Sequence, residues 1–292
     1  RATERLASAG SFEEADAALM EYEDVAGELS SMCTIANIRH DIDTADSFYS
    51  DEVDYLDMAV PEIQEYMQGW NKQLYGTKYR AEFEEKYGRL LFTNLEIELK
   101  TFSPDIISDI QRENALVTEY DKLLASAQIE FDGGVYTLSQ LGPFKSDRDD
   151  GKRKRAWQAE GRFYSSVRDK LDEIFDELVH VRDAMAKKMG YPDYTRLGYY
   201  RMNRNCYDSE DVDKFREAVK KYVVPVAEEL YAKQAERTGR SLPLNYADAA
   251  LKFREGNPKP VGTPEDILES GRKFYHELSP ETGAFIDFMM EN

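Results

Sequence analysis

Apolar residues recur three or four positions apart through almost the whole of this chain, the spacing that places side chains on one face of an α-helix. One such face carries Leu19, Tyr22, Val25 (or Ala26) and Leu29. The same pattern predicts helices over residues 2–9, 13–37, 51–75, 76–99 and 103–126. We therefore expect an all-α, mainly helical protein.

One short segment departs from the helical pattern. Between residues 128 and 138 the apolar period becomes two, around an Asp132-Gly133 pair of the kind that forms a tight turn. The hairpin predicted from this turn pairs Ile129 with Tyr136 and Phe131 with Gly134. The expected fold is thus helical with one small β-hairpin.

The second half of the chain returns to long helical stripes. One runs through residues 166–190 and ends at Gly190, a suitable residue for a left-handed helix end. Another runs from Val212 to Leu230 and includes Pro225, which we expect to kink the helix. Residues 256–260 predict a loop, and helix starts are predicted at Thr263 and Ser279.

The charge of the chain limits its partners. The 292 residues carry 57 acidic and 38 basic side chains, a formal net charge of -19. So negative a surface repels phosphate groups, so nucleic acid and anionic membranes are not expected partners. The one basic cluster, residues 152–155, is interpreted as a solvated helix start. No apolar run approaches the ~18 residues of a membrane span, which favours a soluble protein.

Cysteine usage favours a reducing compartment, with the cytoplasm as the default. Cys33 and Cys206 are far apart in sequence, and two free thiols explain them more simply than a disulfide. Arg204 lies near Cys206 and could activate its thiol, but a buried, inert thiol is the favoured interpretation.

The residues alone do not reveal a catalytic centre. A helical zinc peptidase needs two His four positions apart with a Glu beside the first, and His40, His180 and His276 do not provide such a pair. The segment beginning His276-Glu277 carries Pro280 at the second histidine position. His180 is predicted on the solvent side of its helix, and His40 is predicted to be ion-paired or exposed. No nucleophile elbow or phosphate-binding loop is present in the sequence.

Several segments resemble those of a known family. They include residues 120–123, 142–144, 171–178 and 188–191, and above all the run from Gly198 to Asp208, which reads Gly-Tyr-Tyr-Arg-Met-Asn-Arg-Asn-Cys-Tyr-Asp. Residues 256–260, 276–282 and 288–292 continue the resemblance. Together they are similar to oligoendopeptidase F-type metallopeptidases, relatives of thimet oligopeptidase. The first hundred residues match only as acidic, Tyr-rich helices.

This resemblance implies a bowl-shaped helical zinc peptidase that hydrolyses short peptides. The implied organisation is an N-terminal helical domain over 1–170 and the start of the catalytic domain over 171–292. In that family the zinc is held by an HExxH helix and a later Glu, and none of these can be assigned to a position in this sequence. We therefore predict no catalytic residue and no metal ligand here.

Two explanations remain for the missing motif. The chain could be cut before its zinc-binding residues, or it could be a degenerate relative without activity. Residue 1 is Arg, and the apolar spacing of Phe285, Phe288 and Met289 continues to Asn292, so we expect a cut chain. The alternative from another class is a non-catalytic helical scaffold or protein-interaction protein.

The segment from Tyr199 to Tyr207 provides the only candidates for substrate contact. Its tyrosine hydroxyls could bond a peptide backbone, and an arginine could bind a terminal carboxylate through two hydrogen bonds. The predicted substrate-channel residues are Tyr199, Arg201, Arg204 and Tyr207. The alternative is that these residues fix the connection between two helices through buried ion pairs.

Overall fold

The computed structural model describes residues 1–291, and it confirms a mainly helical protein with one small hairpin. Asn292, the last residue of the predicted terminal stripe, lies outside the described residues. The helices are α1 Ala2–Ser8, α2 Phe12–Ile42, α3 Ser47–Tyr75, α4 Arg80–Tyr87, α5 Leu90–Glu98, α6 Ile107–Ala125, α7 Gly142–Lys145, α8 Asp150–Lys188, α9 Tyr194–Arg201, α10 Ser209–Ala218, α11 Val224–Thr238, α12 Pro264–Leu278 and α13 Pro280–Glu291. A 3-10 turn, Pro104–Ile106, precedes α6.

The predicted hairpin is present with the predicted register. Strand β1, Ile129–Phe131, pairs antiparallel with β2, Gly134–Tyr136. Ile129 faces Tyr136 and Phe131 faces Gly134 across the two strands. The turn residues Asp132 and Gly133 both have positive φ, 53° and 86°, as a two-residue hairpin turn of this type requires.

One predicted helix, over 76–99, is wrong as a single element. The structure has two shorter helices, α4 and α5, that meet around Gly88. Gly88 has φ 87° and ψ 158°, a backbone conformation that is essentially restricted to glycine, and it ends α4. The apolar spacing continues across this break, so periodicity alone could not detect it.

The described residues form two compact units. The first comprises residues 1–142 and 155–229, and the second comprises 143–154 and the chain from Leu230 onward. The division into domains over residues 1–170 and 171–292 stays a prediction.

The first unit has two separate apolar cores. The larger one joins α1 to α5 and is centred on Trp70, which stacks on Tyr22 with ring centroids 4.4 Å apart. The smaller one packs Ile106 and Ile110 against Met185 and Leu197, and so joins α6, α8 and α9. It is this second core that supports the candidate site.

The apolar stripe from Val212 to Leu230 is continuous in the sequence, but the residues that carry it do not form one regular helix. Residues Val219–Val223 form a π-helical stretch between α10 and α11, in which the Val224 N–H donates to the Val219 carbonyl. The wide turn lies just before Pro225, whose missing N–H disfavours a regular α-helix there. Phe215, Tyr222 and Leu230 are exposed, so the stripe is not covered within the described residues.

The second unit is organised around a buried arginine, which corrects the expectation of a solvated basic cluster at 152–155. Arg153 is completely buried. Its Nε donates to the Ala247 carbonyl at 2.9 Å, and its terminal nitrogens bind the Asp147 carbonyl and the carboxylates of Asp150 and Asp248. Hydrogen bonds from Arg240 and Arg153 hold the pKa of Asp150 far below its usual range. Charge pattern alone could not show which basic residue faces inward.

Other local predictions for the second unit are confirmed. Thr263 and Asp266 form a reciprocal capping box at the start of α12, with Pro264 as the first helical residue. The helix ends at Leu278, before Pro280, so residues 276–280 cannot form a metal-binding helical turn.

Among residues 1–291, no helix has both the length and the apolar character that crossing a bilayer requires.

Arg153 gives a test of the second unit. Replacing it, Arg153→Met, leaves the Asp248 carboxylate and two carbonyls without their donor, and should lower the free energy of unfolding by about 3–5 kcal/mol. Arg168→Met on the same helix is the matched control, since that side chain is 76% exposed and its pair with Asp172 should contribute less than about 1 kcal/mol. Urea denaturation measures both. Equal effects of the two variants would contradict this account.

Candidate functional site

The segment from Tyr199 to Tyr207 begins within one capped helix and ends at the cap of the next. At the start of α9, the Asp193 carboxylate accepts a hydrogen bond from the Thr195 N–H at 2.8 Å. After α9 ends, Asn203 adopts φ 51° and turns the chain, and the Asp208 carboxylate then caps α10. The segment is thus a short, constrained connection between two helices.

Arg201, the last residue of α9, is held by a buried carboxylate from another helix. Its Nη2 donates to Oε2 of Glu113 on α6 at 2.7 Å, and its Nη1 donates to the Tyr194 hydroxyl at 2.8 Å. The other oxygen of Glu113 accepts from Nε of Arg182 on α8 at 2.6 Å. One carboxylate therefore joins α6, α8 and α9.

The electrostatics of Glu113 agree with this geometry. Burial by itself would raise the pKa of Glu113, whose side chain is only 6% exposed. The hydrogen bonds and charges of Arg201 and Arg182 outweigh burial, and the pKa lies below the ordinary value of 4.5. Glu113 is therefore ionised at neutral pH and needs both guanidinium groups.

Arg204 has a different environment. Its guanidinium lies over the rings of Tyr199, 4.2 Å from the centroid, and of Tyr207, 5.5 Å from the centroid. Among the described residues no carboxylate lies within ion-pair distance of it. The two tyrosines thus hold a charged group that lacks an acidic partner.

The structure places the four predicted channel residues in two groups. Arg201 is engaged in the Glu113 ion pair, which is the arrangement that the structural alternative describes for this residue. Tyr199, Arg204 and Tyr207 form one stack, and Tyr207 is 44% exposed. No observation tests whether this stack contacts a substrate, so that role stays a prediction.

A groove of about 640 Å³ begins beside this segment. It is lined near the segment by Tyr200, Arg201 and Asn203. Its apolar walls are formed by Leu29, Val60, Met67, Phe102 and Ile110, and its polar side chains include Gln64, Gln68, Asn71 and Glu98. Such a mixture of apolar walls and a few polar groups is typical of ligand-binding grooves.

Of two isolated residues, one has its predicted environment and one does not. His40, expected to be ion-paired or exposed, lies within ion-pair distance of Asp41, with 3.7 Å between Nδ1 and Oδ1, although it is only 3% exposed. Cys206, expected to be buried, is exposed. Both cysteines are free thiols, as predicted.

The residues present do not fit a zinc ion. Within residues 1–291, no group of three or more His, Cys, Asp or Glu side chains has a geometry that could hold a metal. His40, His180 and His276 lie on three different helices, α2, α8 and α12. His276 instead contacts Asp287, with Nε2 and Oδ1 3.0 Å apart.

Comparisons with known proteins explain the architecture. Residues 1–102 match the model of the peptidase M3 N-terminal domain, and residues 144–249 match the model of peptidase family M3. The chain belongs to peptidase family M3. A search of curated proteins found no significant match.

This M3 chain is also similar to solved structures over its full length. A structure described as an oligoendopeptidase F has 39% identity and a TM-score of 0.96, with 99% of this chain covered and 51% of that one. PZ peptidase A with an inhibitor has 43% identity, a TM-score of 0.95 and coverage of 99% and 51%. An oligoendopeptidase F structure from Bacillus anthracis str. Ames has 38% identity, a TM-score of 0.95 and coverage of 100% and 53%. The chain thus spans about half the length of these relatives.

Sequence reasoning missed Glu113, although a signal was present. Glu113 lies between Ile110 and Leu116, three positions from each, so it occupies the buried stripe of α6. An acidic residue within an apolar stripe requires a partner, because burial of an unpaired charge is costly. Its partners, Arg182 and Arg201, are distant in sequence and could not be chosen from the stripe alone.

The Glu113 cluster predicts a pH-dependent loss of stability. Glu113→Gln should lower the free energy of unfolding by about 2–3 kcal/mol at pH 7, because it removes the charge between two guanidinium groups. The pKa of Glu113 is depressed on folding, so its contribution is complete above about 4.5 and is lost as the pH falls through the folded-state pKa.

Urea titrations of wild type and variant at pH 7 and pH 3 measure this difference. Glu119→Gln is the matched control, because Glu119 is a half-exposed residue of the same helix and pairs with Lys170. A Glu113→Gln deficit that persists unchanged at pH 3 would be inconsistent with the ion-pair account.

Proposed function

We propose that this chain is the N-terminal portion of a zinc-dependent endopeptidase of the oligoendopeptidase F type, which hydrolyses short peptides in the cytoplasm. The observation that carries the proposal is the match to two M3 peptidase models in order along the chain. The similar structures, one of which contains an inhibitor, support it. The two free thiols are compatible with a reducing compartment.

The proposal assigns the zinc ligands to residues outside this sequence. The described residues do not fit a metal, and the similar structures are about twice as long as this chain. A bound zinc would supply Lewis-acid activation of water or of a peptide carbonyl. The residues of this chain would contribute by binding and orienting the peptide. The family match gives no support to the alternative of a non-catalytic scaffold.

Uncovered apolar faces support the view that this chain is completed by more polypeptide. Neither α10 nor α12 buries any of its own residues. Large apolar side chains on these helices are exposed, including Phe215 at 68% and Phe274 at 61%. Faces of this kind normally pack against another element, and we assign that role to the remainder of the peptidase.

The activity itself can be tested in the longer gene product. It should cleave an internally quenched fluorescent peptide, lose that activity with a chelator and contain stoichiometric zinc by elemental analysis. The 292-residue chain alone should show neither cleavage nor stoichiometric zinc. Cleavage that a chelator does not affect would refute the zinc assignment, and an inactive, zinc-free longer protein would refute the peptidase assignment.

Arg204 is the better residue with which to test the predicted substrate-channel segment, because Arg201 is already ion-paired with Glu113. In the longer protein, Arg204→Ala should lower kcat/KM for short peptides about tenfold and change the melting temperature little, because no buried partner is lost. Arg196→Ala on α9 is the matched control, since its Nε donates to the Tyr200 hydroxyl at 3.2 Å on the surface. A large fall in melting temperature with unchanged kcat/KM would make Arg204 a structural residue instead.

A further inference from the structure

Two side chains that line the groove of about 640 Å³, Gln68 and Glu98, carry hydrogen-bond acceptors without a full set of donors. One oxygen of Glu98, Oε2, accepts from the Asn71 side chain at 2.8 Å. Gln68 uses its Nε2 to donate to the Glu98 carbonyl at 2.9 Å, while its Oε1 is buried and has no donor. The free acceptor capacity of this pair therefore belongs to Gln68 Oε1 and to the second carboxylate oxygen of Glu98.

Glu98 has no cationic partner. Among the described residues no Lys or Arg lies within ion-pair distance of Glu98. Partial burial, and then the nearby negative charge of Glu23, raise the pKa of Glu98 even though Asn71 opposes the shift. Lys100, two positions along, is paired with Glu96 instead. A cation bound beside Glu98 would favour its charged form.

Arg201, which also lines the groove, does not offer a matching positive site. It is bound at both terminal nitrogens, to Glu113 and to Tyr194. The lining residues include large apolar side chains, among them Leu29, Met67 and Phe102. The groove therefore suits an occupant with an aliphatic stem and one cationic head, rather than an anion or a zwitterion.

We propose that this groove binds a lysine or arginine side chain of a peptide, with its stem along the apolar walls and its cationic head at Glu98. The inference rests on the proposed function, since it takes a peptide as the ligand, and it names the substrate class: peptides that contain a basic residue. The groove volume of about 640 Å³ accommodates such a side chain together with adjoining backbone.

The test uses three five-residue peptides, blocked at both ends and differing only at the central position, which is lysine, norleucine or glutamate. Fluorescence anisotropy with the 292-residue chain should show the lysine peptide binding about threefold to tenfold more tightly than the norleucine peptide. The glutamate peptide should bind most weakly. Glu98→Gln should remove the preference for lysine over norleucine, while its side-chain oxygen still accepts from Asn71 and preserves the fold.

Glu96→Gln is the matched control, because it removes the same charge from the same helix two positions away. It should keep the lysine preference, which separates a specific site from general attraction by the acidic surface. Equal binding of the three peptides, no binding of any of them, or loss of the preference in both variants would overturn the proposal. Chelator-sensitive cleavage by the longer protein would still stand in each of those cases, so the two proposals fail separately.

Discussion

The first unit depends on one carboxylate that is buried among helices and neutralised by two arginines. Glu113 on α6 cannot be ionised in an apolar environment without partners, and it obtains them from α8 and α9. Because each oxygen accepts a hydrogen bond from its own guanidinium, neither arginine can leave without depriving a buried carboxylate oxygen of its donor. These contacts therefore hold the end of α9, and with it the 199–207 segment and the part of the groove that Arg201 lines.

The second unit also contains a buried ion that joins separate parts of the chain, but this ion is positively charged. There the buried ion is Arg153, and the neutralising carboxylates come from its own helix and from Asp248, with main-chain carbonyls completing the set. A buried ion of this kind is weak evidence for high stability, since desolvation offsets much of the attraction. The buried arginine favours the native packing over alternatives. An alternative packing that displaced Arg153 would leave several hydrogen-bond acceptors and charged groups without partners.

The sequence was informative where a short motif determines the local structure. The hairpin register follows from a two-residue turn, and the capping of α12 follows from Thr263, Pro264 and Asp266 alone. It was uninformative wherever the outcome depends on distant residues. The burial of Arg153 requires Asp248, and that of Glu113 requires Arg201, and neither partner has a sequence signature.

The candidate site shows the same division. The density of aromatic and charged side chains at 199–207 identified a constrained segment, and Arg204 and its two tyrosines do lie together. The groove was not predicted, because its walls come from α2, α3, α5, α6 and residues near α9, each of which contributes only one or a few side chains. Family resemblance reached the correct family because it compares many positions in order, and so does not depend on any one contact.

The π-helical turn at Val219–Val223 changes the directions in which the side chains that follow it point. An α-helix advances by about 100° per residue, so one extra residue in a turn rotates everything that follows by about that angle. Val226 consequently does not continue the face of Phe215, and the stripe seen in the sequence is two faces joined end to end. The exposed apolar side chains of this stretch, Phe215 and Val226 among them, therefore point in two directions instead of lining a single surface.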